Sequence, residues 1–341
     1  MAGPRATLAQ VAGLAHVSIP TASQALSGRA RISSETRARV RAAANQLCYT
    51  PHAAARRLSL GRSECVAIVP GQNVKGMFSD LFYRVVLTGV AGICDEAGYR
   101  MLVAPATRGD TQPPQFVNLA LGREVDGVLA IGAADPRWVR ETLDLQIPIV
   151  LVDNYIPDLP APAVVNDDEA GAYLAVQHLT ALGHVSIALV GADVSYPFGR
   201  NVRQGYLRGL RDAGLNRNPA IEIAVPIDTD RARQAATSLF AMSHRPTAVV
   251  AATDAIALGV VRAARDRALD VPRDVSIVGM DDIDLAVLIN PPLTTVRVQK
   301  EEMGRVAAEM LLRWIHGQLP DRGPIVLPNS LIARGTTGGK P

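Results

Sequence analysis

Seven short runs of apolar and β-branched residues recur from Cys65 onward, and stretches with helical spacing separate them. Strands that alternate with helices in this way form parallel sheets covered by helices. We therefore expect an α/β fold, with two parallel sheets facing each other across a cleft and a ligand at the carboxyl ends of the strands. The runs are CVAIV (65–69), MLVA (101–104), GVLAI (127–131), PIVLV (148–152), SIALV (186–190), TAVVA (247–251) and SIVGM (276–280).

The first sixty residues lack such runs and predict three short helices. Thr7 and Gln10 have the spacing of a capping box, and Ser18 is a predicted N-cap for a second helix. A third helix is predicted from Ser33 or Ser34 to about residue 47. Three short helices with a tight turn make a helix-turn-helix module, whose second helix enters the major groove of DNA.

The predicted second helix divides into an inward and an outward set of side chains. Its inward face consists of Ala22, Ala25 and Leu26. Ser23 and Gln24 have the chemistry to hydrogen-bond to base edges, and Ile19 is suited to contact a thymine methyl group. The full outward set is Ile19, Pro20, Thr21, Ser23 and Gln24.

Charge is distributed unevenly along the chain. Residues 1–62 hold nine arginines and one acidic residue, Glu35, which gives +8, so the remainder carries +3 minus 8, or −5. A compact basic module on an acidic body is suited to DNA phosphates. Charge alone would also serve a membrane surface or an acidic protein partner.

Length and composition narrow the class of protein further. A chain of 341 residues that is 48% apolar predicts more than one folding unit. The three cysteines have no paired spacing, which indicates neither a disulfide framework nor a metal site. Since the sequence shows no signal peptide and no membrane-spanning stretch, we expect a cytoplasmic protein. We also expect the protein to have no cofactor and no metal.

Longer motifs resemble those of the LacI/GalR repressors over essentially the whole chain. They include TLAQVAGLAHVSIPTASQALSG (7–28), ISSETRARVRAAANQLCYTPHAAARRL (32–58), VVNDDEAG (164–171), HLTALGH (178–184), ATDAIALG (252–259), VPRDVSIVGMDD (271–282) and PPLTTVRV (291–298). The resemblance implies a type I periplasmic-binding-protein-like domain of two subdomains behind the helix-turn-helix module.

The resemblance also implies domain boundaries. These are a DNA-binding domain at 1–50, a hinge helix and linker at 51–63, and an effector-binding and dimerisation domain at 64–341. Crossovers near Ala163, Thr294 and Pro324 would divide the last into an N-subdomain (about 64–163 and 295–324) and a C-subdomain (about 164–294 and 325–341).

Carried over residue by residue, the resemblance implies a DNA-contacting set in the first sixty residues. Leu58 would wedge into a minor-groove step, although an ordinary apolar linker contact is the alternative. The sequence departs from the family at His16, Gln24 and Ser27, and the change at Gln24 alters the base preferred. The set is Thr7, Ser18, Ile19, Pro20, Thr21, Ser23, Gln24, Ser27, Arg31, His52, Ala55, Arg56 and Leu58.

The resemblance also implies an effector site suited to a hydroxylated, sugar-like molecule. Val202 stands where sugar-binding members have an arginine, so Arg200 or Arg203 is the predicted substitute. Asp254 and Asp282 have an alternative role as helix caps or turn residues. The predicted effector residues are Phe78, in the loop after the first strand, with Asp167, Arg200, Arg203, Thr253, Asp254 and Asp281.

The sequence disfavours two other classes of protein. An α/β enzyme is disfavoured because the sequence has no dinucleotide, P-loop, nucleophile-elbow or zinc-protease motif, and His178 and His184 fit helix-end and surface roles. A secreted solute-binding protein is disfavoured by the basic module. We therefore expect a homodimer that binds a near-palindromic operator as a repressor and responds to a small, sugar-like effector, with no membrane partner.

Overall fold

The computed structural model describes residues 6–26, 32–49, 62–71, 74–106, 114–191, 193–194, 196–321 and 323–340. The chain forms two compact units, Met1–Glu64 and Cys65–Pro341.

The first unit contains the three predicted helices, α1 (Leu8–Leu14), α2 (Ile19–Leu26) and α3 (Ser34–Gln46). The predicted capping box is confirmed, because the Gln10 amide donates to Thr7 Oγ1 at 3.3 Å and the Thr7 amide donates to Gln10 Oε1 at 2.8 Å. Ser18 Oγ accepts the Thr21 amide at 3.3 Å, as an N-cap does. Local capping chemistry therefore fixes where these helices start.

Small side chains let the three helices pack closely. Val11, Ala22, Ala25 and Val40 are fully buried in one core. His16, in the turn between α1 and α2, has φ +52°. His16 therefore adopts the left-handed backbone conformation that this tight turn requires.

The second unit contains two sheets of six strands each within the described residues. The first sheet has the order β11-β5-β4-β3-β1-β2, and the second has the order β12-β10-β9-β8-β6-β7. All pairings are parallel except that of β12 with β10. The strands are β1 (Cys65–Pro70), β2 (Arg100–Val103), β3 (Gly127–Ile131), β4 (Ile149–Val152), β5 (Ala163–Asn166), β6 (Ile187–Val190), β7 (Glu222–Ile223), β8 (Ala248–Ala251), β9 (Ser276–Asp281), β10 (Thr294–Arg297), β11 (Pro324–Leu327) and β12 (Ser330–Ile332).

Helices cover both faces of the sheets, which explains why the central strands are apolar without interruption. In β1, Val66 and Ile68 belong to one hydrophobic core, whereas Ala67 and Val69 belong to another on the opposite face. The helices are α4 (Val74–Ser79), α5 (Leu81–Glu96), α6 (Gln115–Leu121), α7 (Pro136–Asp144), α8 (Asp168–Ala181), α9 (Pro197–Asp212), α10 (Thr229–Phe240), α11 (Asp254–Asp266), α12 (Leu285–Leu288) and α13 (Lys300–Ile315). None of the described helices is long and apolar enough to cross a membrane.

The chain passes between the two sheets three times. β5 and β11 pair in the first sheet, whereas β10 and β12 pair in the second. The passages therefore follow Asn166, Arg297 and Leu327, the last residues of β5, β10 and β11. The positions near Ala163, Thr294 and Pro324, which the sequence indicated, are the first residues of those strands.

Helices α5 and α13 pack along each other beside the first sheet. A Cβ atom on Gly89 of α5 would lie 2.0 Å from the carbonyl oxygen of Glu301, and one on Gly304 of α13 would lie 2.0 Å from that of Val86. The two backbones meet at these glycines. Helix α13 follows β10 of the second sheet but packs beside the first sheet. Its contact with α5 therefore holds in place the passage of the chain from β10 to β11.

Candidate functional sites

Helix α2 presents an exposed face of the composition that the sequence predicted. Ile19 is 50% exposed, and Pro20 and Gln24 are also exposed. Thr21 and Ser23 are half-buried beside the buried Ala22 and Ala25. Helix α2 is thus packed through Ala22, Ala25 and the partly buried Leu26, and it leaves Ile19, Pro20 and Gln24 outward.

Three of the predicted DNA-contacting hydroxyl groups already have local partners. Ser18 Oγ and Thr21 Oγ1 are 2.8 Å apart, and Thr7 Oγ1 belongs to the capping box of α1. These contacts place the three residues at helix starts, where backbone amides point outward and anions are favoured. The other predicted DNA contacts, Ser27, Arg31, His52, Ala55, Arg56 and Leu58, lie outside the described residues.

In the second unit, several predicted effector residues lie at the carboxyl ends of strands. Asp281 ends β9 and is 9% exposed, with φ +124°. Thr253 follows β8 and caps α11 by accepting the Ile256 amide at 3.2 Å. A non-glycine residue at positive φ beyond a sheet edge is typical of a functional position.

Asp254 has an internal role that explains its position. Its side chain is completely buried and accepts hydrogen bonds from Thr295 Oγ1 at 2.5 Å and from the Ile283 amide at 2.9 Å. Burial raises its pKa to about 7 despite these bonds. Asp254 thereby ties the start of α11 to β10 and to the turn after β9.

Asp167 and Asp282 also make structural contacts. Asp167 caps α8 by accepting the Ala170 amide at 2.9 Å, which is the alternative role for an aspartate at a helix start. Asp282 accepts bonds from Arg297 Nε at 2.7 Å and Arg334 at 2.5 Å. Burial opposes ionisation of Asp282, but the two arginines outweigh it and lower its pKa.

The remaining predicted effector residues are Phe78, Arg200 and Arg203. Phe78 is on the short helix α4 rather than in a loop, and it is 60% exposed. Arg203 pairs with Glu222 at 3.0 Å, and Arg200 donates to the carbonyl oxygen of Val194 at 3.0 Å. Both arginines on α9 therefore have protein partners of their own.

A second group of cleft residues was not predicted from the sequence. Tyr83 of α5 donates to Asp153 Oδ2 at 3.0 Å, and Asn166 Nδ2 lies 3.4 Å from Asp153 Oδ1. Asp153 follows β4 with φ +57°, and Asn166 ends β5. The signal that could have found them is position, since each polar residue follows an apolar run at the same sheet edge.

Asp153 interacts electrostatically with three other carboxyl groups near this edge, those of Asp80, Asp168 and Asp281. Loss of hydration and the charge of Asp80 raise the pKa of Asp153 to about 7, although the hydrogen bond from Tyr83 opposes the rise. Burial, together with neighbouring acids that include Asp153, also raises the pKa of Asp168 and of Asp281.

The two histidines beyond the cleft have structural partners. His184 is 1% exposed and contacts Thr247 Oγ1 and Ser276 Oγ, each at 3.0 Å. His178 Nε2 lies 2.9 Å from Thr337 Oγ1. His184 is therefore buried rather than at the surface, and burial lowers the pKa of both rings. Among the described residues, no group of three or more histidines, cysteines and acids could hold a metal ion.

A helix-turn-helix unit joined in one chain to a two-sheet α/β unit with a polar cleft edge defines the class of ligand-responsive DNA-binding proteins. Residues 7–52 match the bacterial regulatory proteins of the lacI family, and residues 176–337 match a periplasmic binding protein-like domain. The chain belongs to the LacI family of bacterial regulatory proteins.

Relatives match over nearly the full length. The ribose operon repressor of Haemophilus influenzae is 30% identical over 96% of this chain and 98% of that protein. The structure of the lac repressor dimer bound to operator and the anti-inducer ONPF has a TM-score of 0.86, with 26% identity over 98% of this chain and 100% of that one. The CelR–cellobiose complex has a TM-score of 0.74, with 28% identity over 97% and 100%.

Proposed function

We propose that this protein is a homodimeric transcriptional repressor and that a small, sugar-like effector controls its affinity for a near-palindromic operator. The observation that carries the proposal is the exposed face of α2, where Ile19, Pro20 and Gln24 stand outward from the packed face of the helix. The excess of arginine in residues 1–62 supplies the phosphate attraction that this face needs.

The relatives support the effector part of the proposal. One is described as a ribose operon repressor, and another was solved with cellobiose. A sugar-like effector in this chain would lie at the carboxyl edges of the two sheets, where Asp153, Asn166 and Asp281 gather. The chain is then a regulator rather than an enzyme, and it acts in the cytoplasm, where the chromosome is.

We infer that three consecutive segments of the chain have different functions. Residues 1–50 bind DNA, 51–63 form the hinge, and 64–341 bind the effector and dimerise. Effector binding changes the angle between the two sheets and hence the separation of the two hinges in the dimer. Whether DNA binding weakens or strengthens depends on which arrangement the effector prefers.

The direct test of DNA recognition is gel retardation of genomic fragments from upstream of the chain's own gene. We expect retardation that is sequence-selective and that weakens with added salt. The variant Gln24→Ala changes which fragments are retained, because glutamine reads adenine through paired hydrogen bonds. Gln46→Ala, an exposed change on α3, is the matched control and leaves the preference unchanged. Retention that is independent of fragment sequence would contradict the proposal.

The hinge residue Leu58, which lies outside the described residues, has a separate test. If it wedges between base steps, Leu58→Ala reduces operator affinity and DNA bending while effector binding is unchanged. Circular-permutation gel shifts measure the bend. An unchanged bend angle would rule out the wedge and leave Leu58 as an ordinary linker contact.

A further inference from the structure

We propose that Lys300 is a positioning residue for the effector site, because its buried ammonium group holds the main-chain carbonyl oxygens of Asp281 and Asp282 and thereby fixes the turn that carries Asp281. This inference rests on the proposed function, since Asp281 is one of the predicted effector residues. It goes further by assigning a role to a residue outside that predicted set.

The first observation is the burial and the hydrogen bonding of Lys300 itself. Lys300 is the first residue of α13 and is 6% exposed. Its Nζ donates to the carbonyl oxygen of Asp281 and, at 3.1 Å, to that of Asp282, and it lies 3.5 Å from the carbonyl oxygen of Val298. An ammonium group has three donors, so these three main-chain oxygens match it. Such partners are what a lysine needs at this depth, because loss of hydration disfavours its charge.

The second observation is the backbone conformation of the turn that Lys300 holds. Asp281 has φ +124° and Asp282 has φ +57°, so two consecutive residues with side chains have positive φ. Such conformations persist only where the surrounding structure holds them. The two carbonyl oxygens that accept from Lys300 belong to these same two residues. The lysine therefore stabilises the unusual course of the chain at the end of β9.

Other contacts hold the same turn from within the second sheet. The Asp282 amide donates to Thr295 Oγ1 at 3.4 Å, and the Ile283 amide donates to Asp254 Oδ2 at 2.9 Å. Thr295 belongs to β10 and Asp254 to α11, and both elements pack with β9. The two amides report on the turn, because they lose their acceptors if its backbone relaxes.

Lys300 differs from these partners because it joins the cleft edge of the second sheet to a helix of the first. Helix α13 packs against α5 and against β3, β4 and β5. The proposed effector control requires a change in the angle between the sheets, and such a change acts on the bonds that Lys300 makes. A ligand at Asp281 is thereby linked to α13 through the hydrogen bonds of one side chain, which is a direct physical contact.

Hydrogen exchange measured by mass spectrometry tests the positioning role without a ligand. Lys300→Met keeps the length of the side chain but removes its charge and its donors. We expect exchange in peptides that span residues 281–283 to accelerate at least about tenfold, and exchange in peptides from β8 to accelerate less. Lys75→Met, the same change at an exposed lysine of α4, is the matched control and leaves both at their wild-type rates. Unchanged exchange in the turn, or equal acceleration in the turn and β8, would overturn the inference.

A measurement on the wild-type protein covers the case in which Lys300→Met does not fold. The chain has three lysines, Lys75, Lys300 and Lys340, and the first and last of these are exposed. In protein labelled with ¹⁵N-lysine, we expect one ammonium resonance at neutral pH whose hydrogens exchange slowly with water, and we expect it to remain in Lys75→Met. The absence of any slowly exchanging ammonium group would show that Lys300 is not held as proposed.

Sugar binding tests the link to the effector site. D-ribose, D-glucose, D-galactose and cellobiose are screened by thermal shift, and the sugar that raises the wild-type melting temperature most is titrated by calorimetry. We expect Lys300→Met to bind this sugar at least about tenfold more weakly and Lys75→Met to bind it as wild type does. Equal affinity in Lys300→Met and wild type would contradict a positioning role. If none of the four sugars binds, the exchange rates and the ammonium resonance decide the inference.

The outcome for the proposed function is read separately. If DNA retardation is absent in the wild-type protein, the proposed function fails whatever the exchange of the turn shows. If retardation responds to a sugar equally in Lys300→Met and wild type, effector control stands and the role of Lys300 is disproved.

Discussion

At the scale of single residues, Asp153 combines three unusual features. It has φ +57°, it accepts a hydrogen bond from Tyr83, and loss of hydration raises its pKa from 3.8 to about 7. The folded protein therefore retains a proton on Asp153 that the unfolded chain releases above about pH 4. Folding stability should accordingly fall as pH rises from about 4 to 7 and level off above.

Asp153→Asn provides the test of this linkage. Asparagine keeps an acceptor for Tyr83 and tolerates positive φ, but it cannot titrate. We expect the variant to lose less melting temperature than wild type between pH 5 and pH 8, as measured by differential scanning calorimetry. Asp158→Asn serves as the control and should follow wild type. Parallel pH profiles for Asp153→Asn and wild type would contradict the raised pKa.

Residue-level prediction succeeded where the chemistry is local and failed where it is not. The cap at Thr7 and the left-handed turn at His16 follow from immediate neighbours. By contrast, Arg203 was predicted as a substitute for the missing ligand-binding arginine, but it forms an ion pair with Glu222, which lies on a strand beyond its helix. Sequence spacing does not show which distant acid a basic side chain meets.

At the scale of elements, the paired helices α5 and α13 depend on two glycines. A Cβ atom on Gly89 would lie 2.0 Å from the Glu301 carbonyl oxygen, whereas one on Gly92 of the same helix meets nothing within 4 Å. The backbone of α13 cannot yield as a flexible side chain does. The contact is therefore sensitive to a single methyl group.

Gly89→Ala and Gly92→Ala form a matched pair for this contact. We expect Gly89→Ala to destabilise the second unit by about 1–3 kcal/mol through overpacking. We expect Gly92→Ala to stabilise it by about 0.5–1 kcal/mol, because alanine favours the helix. Urea denaturation measures both. Equal effects of the two changes would show that α5 and α13 are not in backbone contact.

The strands were predicted unequally, for a physical reason. All seven apolar runs became strands. Burial on both faces leaves a continuous apolar signal in the central strands, whereas β2, at the edge of the first sheet, is only partly buried. β10, which begins with two threonines, and the short β12 carry no such run. The threonine hydroxyls of β10 have distant partners, as Thr295 has in Asp254, and the spacing along the chain does not show that pairing.

At the scale of the whole molecule, composition and pattern indicated a basic helical module and a two-sheet α/β unit, and the structure confirms both units. The electrostatic coupling among Asp80, Asp153, Asp168 and Asp281 was not anticipated, because these residues lie far apart in the sequence and interact only after both sheets have formed. The proposed regulation of DNA binding by an effector requires both units, since the proposed DNA contacts lie in one unit and the proposed ligand contacts in the other.

The most direct measurement of that claim is fluorescence anisotropy of a labelled operator fragment, titrated with protein in the absence and presence of a saturating sugar-like ligand. The account predicts that ligand changes the apparent Kd for DNA at least about fivefold. Asp281→Asn should bind the same DNA as tightly as wild type without ligand and show little response at that ligand concentration. An apparent Kd for DNA that stays the same when the wild-type cleft is saturated would contradict the account.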